Sequence, residues 1–300
     1  MQNKYKLTIA VITMNRAAQL KQAIESCVQS ALPEKTQFVI LDNASTDDTQ
    51  QIIQELQKTV PYDMVCTKET QNRGAGGGRN ICFDLAQGEY VYFLDDDAVI
   101  SENCRDTFFV KSLQFMDENP KAATLTTFIY DTVFGNRSPV IAKTTSLGGL
   151  KTVFMYPEGS VFLRRTVFSS PLYLNIVYGY ESAAPSVSVI DRGLHNVYMP
   201  DISIDHMPMV DKWHTQNQDA LNMLGAANLY AIRKLQYPWV FLPLLYAAYR
   251  MRIHRYRLQD KSLINVYRQK NRQFCKEHSL KKVKIKTVLK CFREFGATVF

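Results

Sequence analysis

Four short apolar runs, each closing on polar residues, constrain the fold of this chain more than any other feature. Residues 7–14 form a β-branched run of the kind expected of a strand buried on both faces. Leu20, Ala23, Ile24, Cys27, Val28 and Ala31 then recur at helical spacing. Residues 38–41 make a second strand. Ser45, Thr46, Asp47 and Asp48 offer N-caps for a helix through Ile52, Ile53 and Leu56. Residues 64–67 read as a weaker third strand, and 81–86 as a helix that Gly88 closes in a left-handed stop. Residues 90–94 form a fourth strand that runs directly into Asp95, Asp96 and Asp97. This alternation predicts an α/β fold, with a mostly parallel sheet covered by helices on both faces. In such sheets ligands sit beyond the carboxyl ends of the strands, where all these polar clusters fall.

Charge divides the chain in two. Residues 233–300 hold seventeen Lys and Arg against three Asp and Glu, a net of +14, whereas residues 1–232 carry −6. The overall +8 is therefore an average, and the compositional break near residue 230 is the best boundary. The six cysteines form no C-x-x-C pair, which suits a reduced cytosolic chain better than a disulfide framework or a zinc site. The apolar run at residues 7–12 is too short for a signal peptide.

Three clusters carry chemistry. Thr13, Asn15 and Arg16 follow the first strand, and Asp42, Asn43 and Ser45 follow the second. They can grip a base and ribose, although the same residues favour turns and caps. Between Asn72 and Asn80, Arg73 and Arg79 flank Gly74, Gly76, Gly77 and Gly78. The glycines permit positive φ and close backbone approach, and the arginines suit a diphosphate. A flexible surface loop is the bland alternative. Asp95, Asp96 and Asp97 repel one another unless a cation neutralises them, and a divalent ion shared with substrate phosphates is the natural solution. In an extended segment Asp95 and Asp97 share a face; a solvated acidic turn is the alternative.

The segments T-I-A-V-I-T-M-N-R, V-I-L-D-N-A-S-T-D-D-T, N-R-G-A-G-G-G-R-N and G-E-Y-V-Y-F-L-D-D-D resemble, in order and spacing, the family 2 glycosyltransferases of GT-A fold. The resemblance implies a nucleotide-diphosphate sugar donor (UDP-, GDP- or dTDP-linked), Mn²⁺ or Mg²⁺, and inversion at the anomeric carbon. It implies nucleotide-sugar contacts at Thr13, Asn15, Arg16, Asp42, Arg73, Gly74, Arg79, Asn80, Asp95 and Asp96, and metal ligands at Asp97 and His206. Tyr178-Gly179-Tyr180-Glu181-Ser182 looks like the segment carrying the general base. The family's usual Glu-Asp pair is here Glu181-Ser182, so Glu181 is taken as the base over Asp191 or Asp205.

The domain reading follows: a GT-A catalytic domain over 1–232, with a nucleotide-sugar half (1–100) and an acceptor half (101–232), and a basic, mainly helical extension over 233–300. Residues 235–249 carry no charge and are rich in aromatics, but fifteen residues are too few to span a bilayer. Basic clusters follow at 250–257 and 281–286. Together they suit an anionic membrane surface. The alternatives are a subdomain packed on the core or a homo-oligomer contact; no nucleic-acid motif accompanies the charge. The expected enzyme works in the cytoplasm, peripheral on the inner membrane face, transferring sugar to a glycan or lipid-linked acceptor of a surface polysaccharide. A sugar-nucleotide nucleotidyltransferase would need a Gly-rich loop straight after the first strand, where Met14, Asn15 and Arg16 stand. A non-catalytic nucleotide-sugar binder is the remaining reading, raised by Ser182.

Overall fold

The computed structural model describes residues 4–133, 135–136, 138–176, 179–208, 218–255 and 261–300. Strand β1 (Tyr5–Thr13), helix α1 (Ala17–Val28), β2 (Thr36–Asp42), α2 (Thr49–Thr59), β3 (Asp63–Lys68), α3 (Gly74–Leu85) and β4 (Gly88–Asp95) alternate as the apolar runs require. The short β5 (Ala98–Ile100), α4 (Phe108–Glu118) and β6 (Ala122–Asp131) follow. After them come the hairpin β7 (Ile141–Leu147) and β8 (Leu150–Val153), β9 (Ser160–Arg164), α5 (Ala183–Asp191) and β10 (His195–His206). Four helices close the chain: α6 (Gln218–Gln236), α7 (Leu242–Arg255), α8 (Lys261–Glu277) and α9 (Ile285–Phe295).

Ten strands make one sheet in the order β3-β2-β1-β4-β9-β6-β10-β8-β7, with β5 paired to β10. The run β3-β2-β1-β4 is wholly parallel. Beyond β4 the sheet is mixed: β9 lies antiparallel to both β4 and β6, and β10 runs parallel to β6 but antiparallel to β8 and β5. Apolar residues cover both sheet faces. One face packs Leu7, Ile9, Val11 and the Tyr92–Phe108–Phe109–Phe162 ring cluster against α1, α2 and α4. The other packs Val39, Leu41, Val91 and Phe93 against Cys82 and Phe83 of α3. Burial on both faces explains why these strands read as continuous apolar runs.

Gly88 does not end a helix in a left-handed stop. Helix α3 closes at Ala86 in extended backbone, and Gly88 opens β4. A Cβ there would stand 2.5 Å from the Thr8 backbone nitrogen, so the glycine serves close strand approach rather than a turn.

The C-terminal helices pack on the side of the sheet that carries β8 and β7. Tyr237, Phe241, Leu245, Val288, Cys291 and Phe295 bury Ala142, Phe154 and Val187. Helix α6 runs continuously across residues 232 and 233, the compositional break. Glu294 ties α9 to β7, accepting from the Thr144 N–H at 3.0 Å, the Thr144 hydroxyl at 2.8 Å and the Thr145 N–H at 3.1 Å. Tyr256 and Arg257 of the basic cluster lie outside the described residues.

Candidate active site

Parallel pairing aligns the ends of β1, β2 and β4, with Thr13 opposite Asp42 and Ile12 opposite Asp95. Antiparallel pairing of β5 with β10 sets His206 against Ala98, and the Met207 N–H donates to the Asp97 carbonyl at 2.8 Å. A residue more than a hundred positions away is thereby brought to the acidic run. Asn15 leaves β1 at positive φ (55°), its N–H donating to Ser45 Oγ at 2.9 Å and its Oδ1 accepting from the Thr46 N–H at 2.7 Å. That turn carries Arg16 over the acidic run, where its Nη1 donates to Asp96 Oδ1 at 2.8 Å and to Asp97 Oδ2 at 2.6 Å.

The glycine run is mostly helix. Only Gly74 of the four takes positive φ (+71°). Gly78 lies so close to the sheet that a Cβ would meet Ile12 and Leu41 side chains at 3.0 and 3.1 Å, and one on Gly76 would meet the Leu174 carbonyl at 2.9 Å. Glycine here lets α3 press against the sheet and the segment 173–176. That packing aims Arg79 at the acidic run, and its Nη2 donates to Asp95 Oδ1 at 2.7 Å.

A cavity of about 520 Å³ opens between these parts, with Thr13, Arg16, Asn43, Asn72, Gly74, Arg79, Asp95, Asp96, Asp97 and His206 among the residues that line it. That volume suits a small ligand, and backbone N–H groups at the start of α3 favour an anion. Asn15, Asp42, Arg73 and Asn80 do not line it. Asp42 accepts from the Ser45 N–H at 2.7 Å and has Lys68 Nζ 3.4 Å away. The Arg73 N–H donates to Asn43 Oδ1 at 2.8 Å while its guanidinium reaches Glu69 at 2.7 Å. Asn80 spends both side-chain atoms on the Tyr173 backbone, at 2.9 and 2.8 Å.

Asp95, Asp97 and His206 each offer a ligand atom within 4.8 Å of the others. Two hard carboxylates and one imidazole suit Mn²⁺ or Mg²⁺. His206 Nε2 lies 3.2 Å from Asp97 Oδ1, and its Nδ1 lies 2.9 Å from the buried Asp131 Oδ2. Asp131 can only accept there, so it holds a proton on Nδ1 and turns Nε2 toward Asp97, where an ion would take the place of the Nε2 proton. The local charges respond. Burial, with Asp97 adding repulsion, pushes the Asp96 carboxyl up to about 6 against the pull of Arg16. For Asp97 burial works upward, but the bond to His206 and the charge of Arg16 win, leaving its carboxyl below the ordinary value. Burial disfavours charge on His206, but Asp97 outweighs it and raises the imidazole.

Two functional candidates were missed in the sequence. Asp131 ends β6 as Asp95 ends β4, so an apolar run closing on an acid was the available signal. Glu158 carried none, lying in a turn before Gly159. It accepts a hydrogen bond from the Ser182 N–H, and loss of solvation, with Glu181 next to it, holds its carboxyl above the ordinary range. Glu181 is buried, with Oε1 accepting from the Gly179 N–H at 3.0 Å; Tyr178 lies outside the described residues. Asp191 accepts from the Lys284 N–H at 2.8 Å and the Thr287 hydroxyl at 2.6 Å, which docks α9. Asp205 accepts from the Ser101 hydroxyl at 2.7 Å.

The family model described as "Glycosyl transferase family 2" matches residues 8–168. The GalNAc(5)-diNAcBac-PP-undecaprenol beta-1,3-glucosyltransferase of Campylobacter jejuni is 33% identical over 107 residues, 36% of this chain and 34% of that protein. The chain thus aligns with about a third of that relative's length. Staphylococcus aureus TarS 1-349 in complex with UDP-GlcNAc superposes with a TM-score of 0.62 at 14% identity, covering 83% of this chain and 72% of that one. The mannosyltransferase PcManGT of Pyrobaculum calidifontis, with GDP-Man and Mn²⁺, superposes with a TM-score of 0.56 at 16% identity, covering 92% and 76%. These structures share the fold.

Proposed function

The chain belongs to glycosyl transferase family 2, and on that premise we propose that it is a metal-dependent, inverting transferase. It moves a sugar from a nucleoside-diphosphate donor to a hydroxyl of a glycan or lipid-linked acceptor in bacterial cell-surface polysaccharide synthesis. One observation carries the reading: Arg16, Arg79, the three carboxylates and His206 converge on one cavity at the strand ends, beside the start of α3. Asp95, Asp97 and His206 would hold Mn²⁺ or Mg²⁺, with Asp131 orienting the imidazole. The ion, when bound, offsets the negative charge that grows on the leaving diphosphate. Thr13 and Asp96 line the nucleotide end, while Asn15, Asp42, Arg73 and Asn80 hold its walls. Arg79 reaches from α3 to Asp95, on the side facing Glu181.

A lipid-linked acceptor is supported by the Campylobacter relative, whose name specifies one. Among the described residues no helix is long and apolar enough to cross a membrane. The C-terminal helices nevertheless present an outward apolar stripe, Ile285, Leu289 and Phe292, with Lys286, Lys290 and Arg293 along its side. The Phe300 ring joins Phe292 (5.6 Å) to Phe241 (5.9 Å), next to the 78% exposed Trp239. Aromatics beside clustered cations fit an anionic bilayer, at about 1 kcal/mol per basic residue near it. The protein would thereby work peripherally on the cytoplasmic face.

The test is a panel of UDP-, GDP- and dTDP-sugars, scored for release of the nucleoside diphosphate with Mn²⁺, Mg²⁺ or chelator. Release from one donor class that chelator stops is expected. Metal-independent release, or formation of a nucleotide sugar from a sugar phosphate, would overturn the reading.

A further inference from the structure

We propose that Glu158, rather than Glu181, takes the proton from the acceptor hydroxyl; this rests on the transferase reading above. A second cavity, of about 430 Å³, lies between the start of β9 and helix α6. Tyr156, Glu158, Tyr180, Ser182, Asn222 and Gly225 are among the residues that line it. Glu181 does not. Its Oε1 is held by the Gly179 N–H, and its Cγ would lie 3.5 Å from a Cβ on Gly76, so the side chain turns toward α3 and Arg79.

Glu158 faces the other way. Its Oε1 accepts from the Ser182 N–H, and the Ser182 hydroxyl also faces the carboxylate. One residue on, the Gly159 carbonyl accepts from the Asp95 N–H at 3.2 Å, and a Cβ on Gly159 would lie 2.7 Å from Asp95 Oδ2. The chain therefore passes from the donor cavity to the second cavity within two residues. Asp95 and Arg79 line the donor cavity and Glu158 lines the second, and Glu158 is separated from Asp95 only by the Gly159 contact. A hydroxyl bound in the second cavity on the side of Gly159 therefore finds the Glu158 carboxylate next to the donor site. Lost solvation and the adjacent Glu181 hold that carboxyl above its ordinary range, closer to the working pH of a base.

The step balances. The acceptor O–H proton passes to Glu158 Oε2 as the acceptor oxygen bonds to the anomeric carbon. The bond from that carbon to the diphosphate oxygen breaks, and its electron pair leaves with the nucleoside diphosphate. Glu158 then returns the proton to water. Glu181, which does not reach the second cavity, is a positioning residue that acts through the Gly179 turn and Arg79.

The experiment compares the full chain with E158Q, E181Q and E158Q/S182D, using the nucleotide sugar the unmodified protein turns over. Binding of UDP, GDP and dTDP with Mn²⁺ is measured alongside. Glutamine keeps an acceptor for the Ser182 N–H, and the thermal melt checks folding. E158Q should lower kcat by about 10²- to 10⁴-fold with nucleotide affinity unchanged. E181Q should cost less than about tenfold. The S182D substitution, which sets a carboxylate on the same cavity wall, should restore at least about tenfold of the loss. Near wild-type turnover by E158Q would overturn the assignment, as would a large loss in E181Q alone. If the unmodified protein releases nucleoside diphosphate from no donor, the transferase reading fails and takes this inference with it. If it turns over and E158Q does too, only the base assignment fails.

Discussion

The strand ends and the far edge of the sheet treat charge in opposite ways. At the strand ends, carboxylates meet cations across a cavity: Arg16 holds Asp96 and Asp97, and Arg79 holds Asp95. At the far edge, where α6, α7 and α9 cover β7 and β8, the nearest partners of the buried charges are backbone and hydroxyl groups, with Arg293 Nε 3.8 Å from Glu294. Glu294 takes the N–H groups of Thr144 and Thr145. Arg233 gives its Nη2 to the Thr298 carbonyl at 2.8 Å and lies 5.6 Å from the Phe154 ring centre. No carboxylate partners Arg233 among the described residues. The difference separates two uses of a costly group. A cation–carboxylate pair bordering a cavity can exchange partners with an incoming ion and diphosphate at little net change in charge. A charge locked to backbone cannot exchange, and serves to keep two layers shut.

The sharpest break in this contrast is Asp97→Ala. It removes a carboxylate that Arg16 and His206 both face. We expect metal-dependent release of nucleoside diphosphate to fall by about 10³-fold or more, the scale of losing one electrostatic group at a transition state. The thermal melt should stay near that of the parent. Retained turnover in steady-state assays would mean the acidic run is not the metal site. Asp131→Asn should do less, since its carboxylate bonds His206 Nδ1 and the Val133 N–H rather than offering a ligand atom to the ion. Metal affinity, read from Mn²⁺ titration of activity, should weaken by about 10- to 100-fold. An unchanged titration curve would remove His206 from the ligand set.

Glu294→Gln tests the far edge. The accepted hydrogen bonds from Thr144, first its N–H and then its hydroxyl, draw the Glu294 carboxyl down to about 2 from an ordinary 4.5. A carboxyl depressed in the folded state contributes stability that is complete above the ordinary value and disappears as pH falls from about 4.5 toward 2. E294Q should therefore destabilise by about 2 kcal/mol at neutral pH, the scale of one hydrogen bond to a charged group, and lower Tm by several degrees. The deficit should vanish near pH 2, and nucleotide binding should not change. A loss of nucleotide binding without a change in Tm would show that the two regions are coupled rather than separate.

Much of the strand-end cluster was legible because strand ends announce themselves. An apolar run of period suited to double burial, stopped by Asp95 or Asp42, places an acid at the carboxyl end of a parallel strand whatever the distant contacts are. The glycine run was legible in position but not in use. Positive φ and close packing both call for glycine, and only the sheet beneath Gly78 decides between them. Gly88 shows the same ambiguity, resolved by a neighbouring strand rather than by a turn. Asp131 and Glu158 depend on contacts 75 and 24 residues away, which no local period encodes. The extension was legible as a charge anomaly, but its apolar residues split between two tasks. Val288, Cys291 and Phe295 face the sheet, while Ile285, Leu289 and Phe292 on the same helix face outward.

That split supports the smallest and most specific prediction. If the outward stripe of α9 meets lipid, Leu289→Ser should weaken binding to vesicles of mixed anionic lipid by about fivefold, near 1 kcal/mol for a side chain already half covered in the folded protein. Because Leu289 is 54% exposed, the same change should leave Tm within about a degree. Raising salt should weaken both proteins in parallel, since Lys286, Lys290 and Arg293 are untouched. Cys291→Ser, on the buried face of the same helix, should do the reverse, lowering Tm while vesicle binding holds at temperatures where the protein is folded. If Leu289→Ser instead alters sedimentation of the protein without vesicles, the stripe meets a second copy of the chain. The far edge would then be closed on both of its faces by protein.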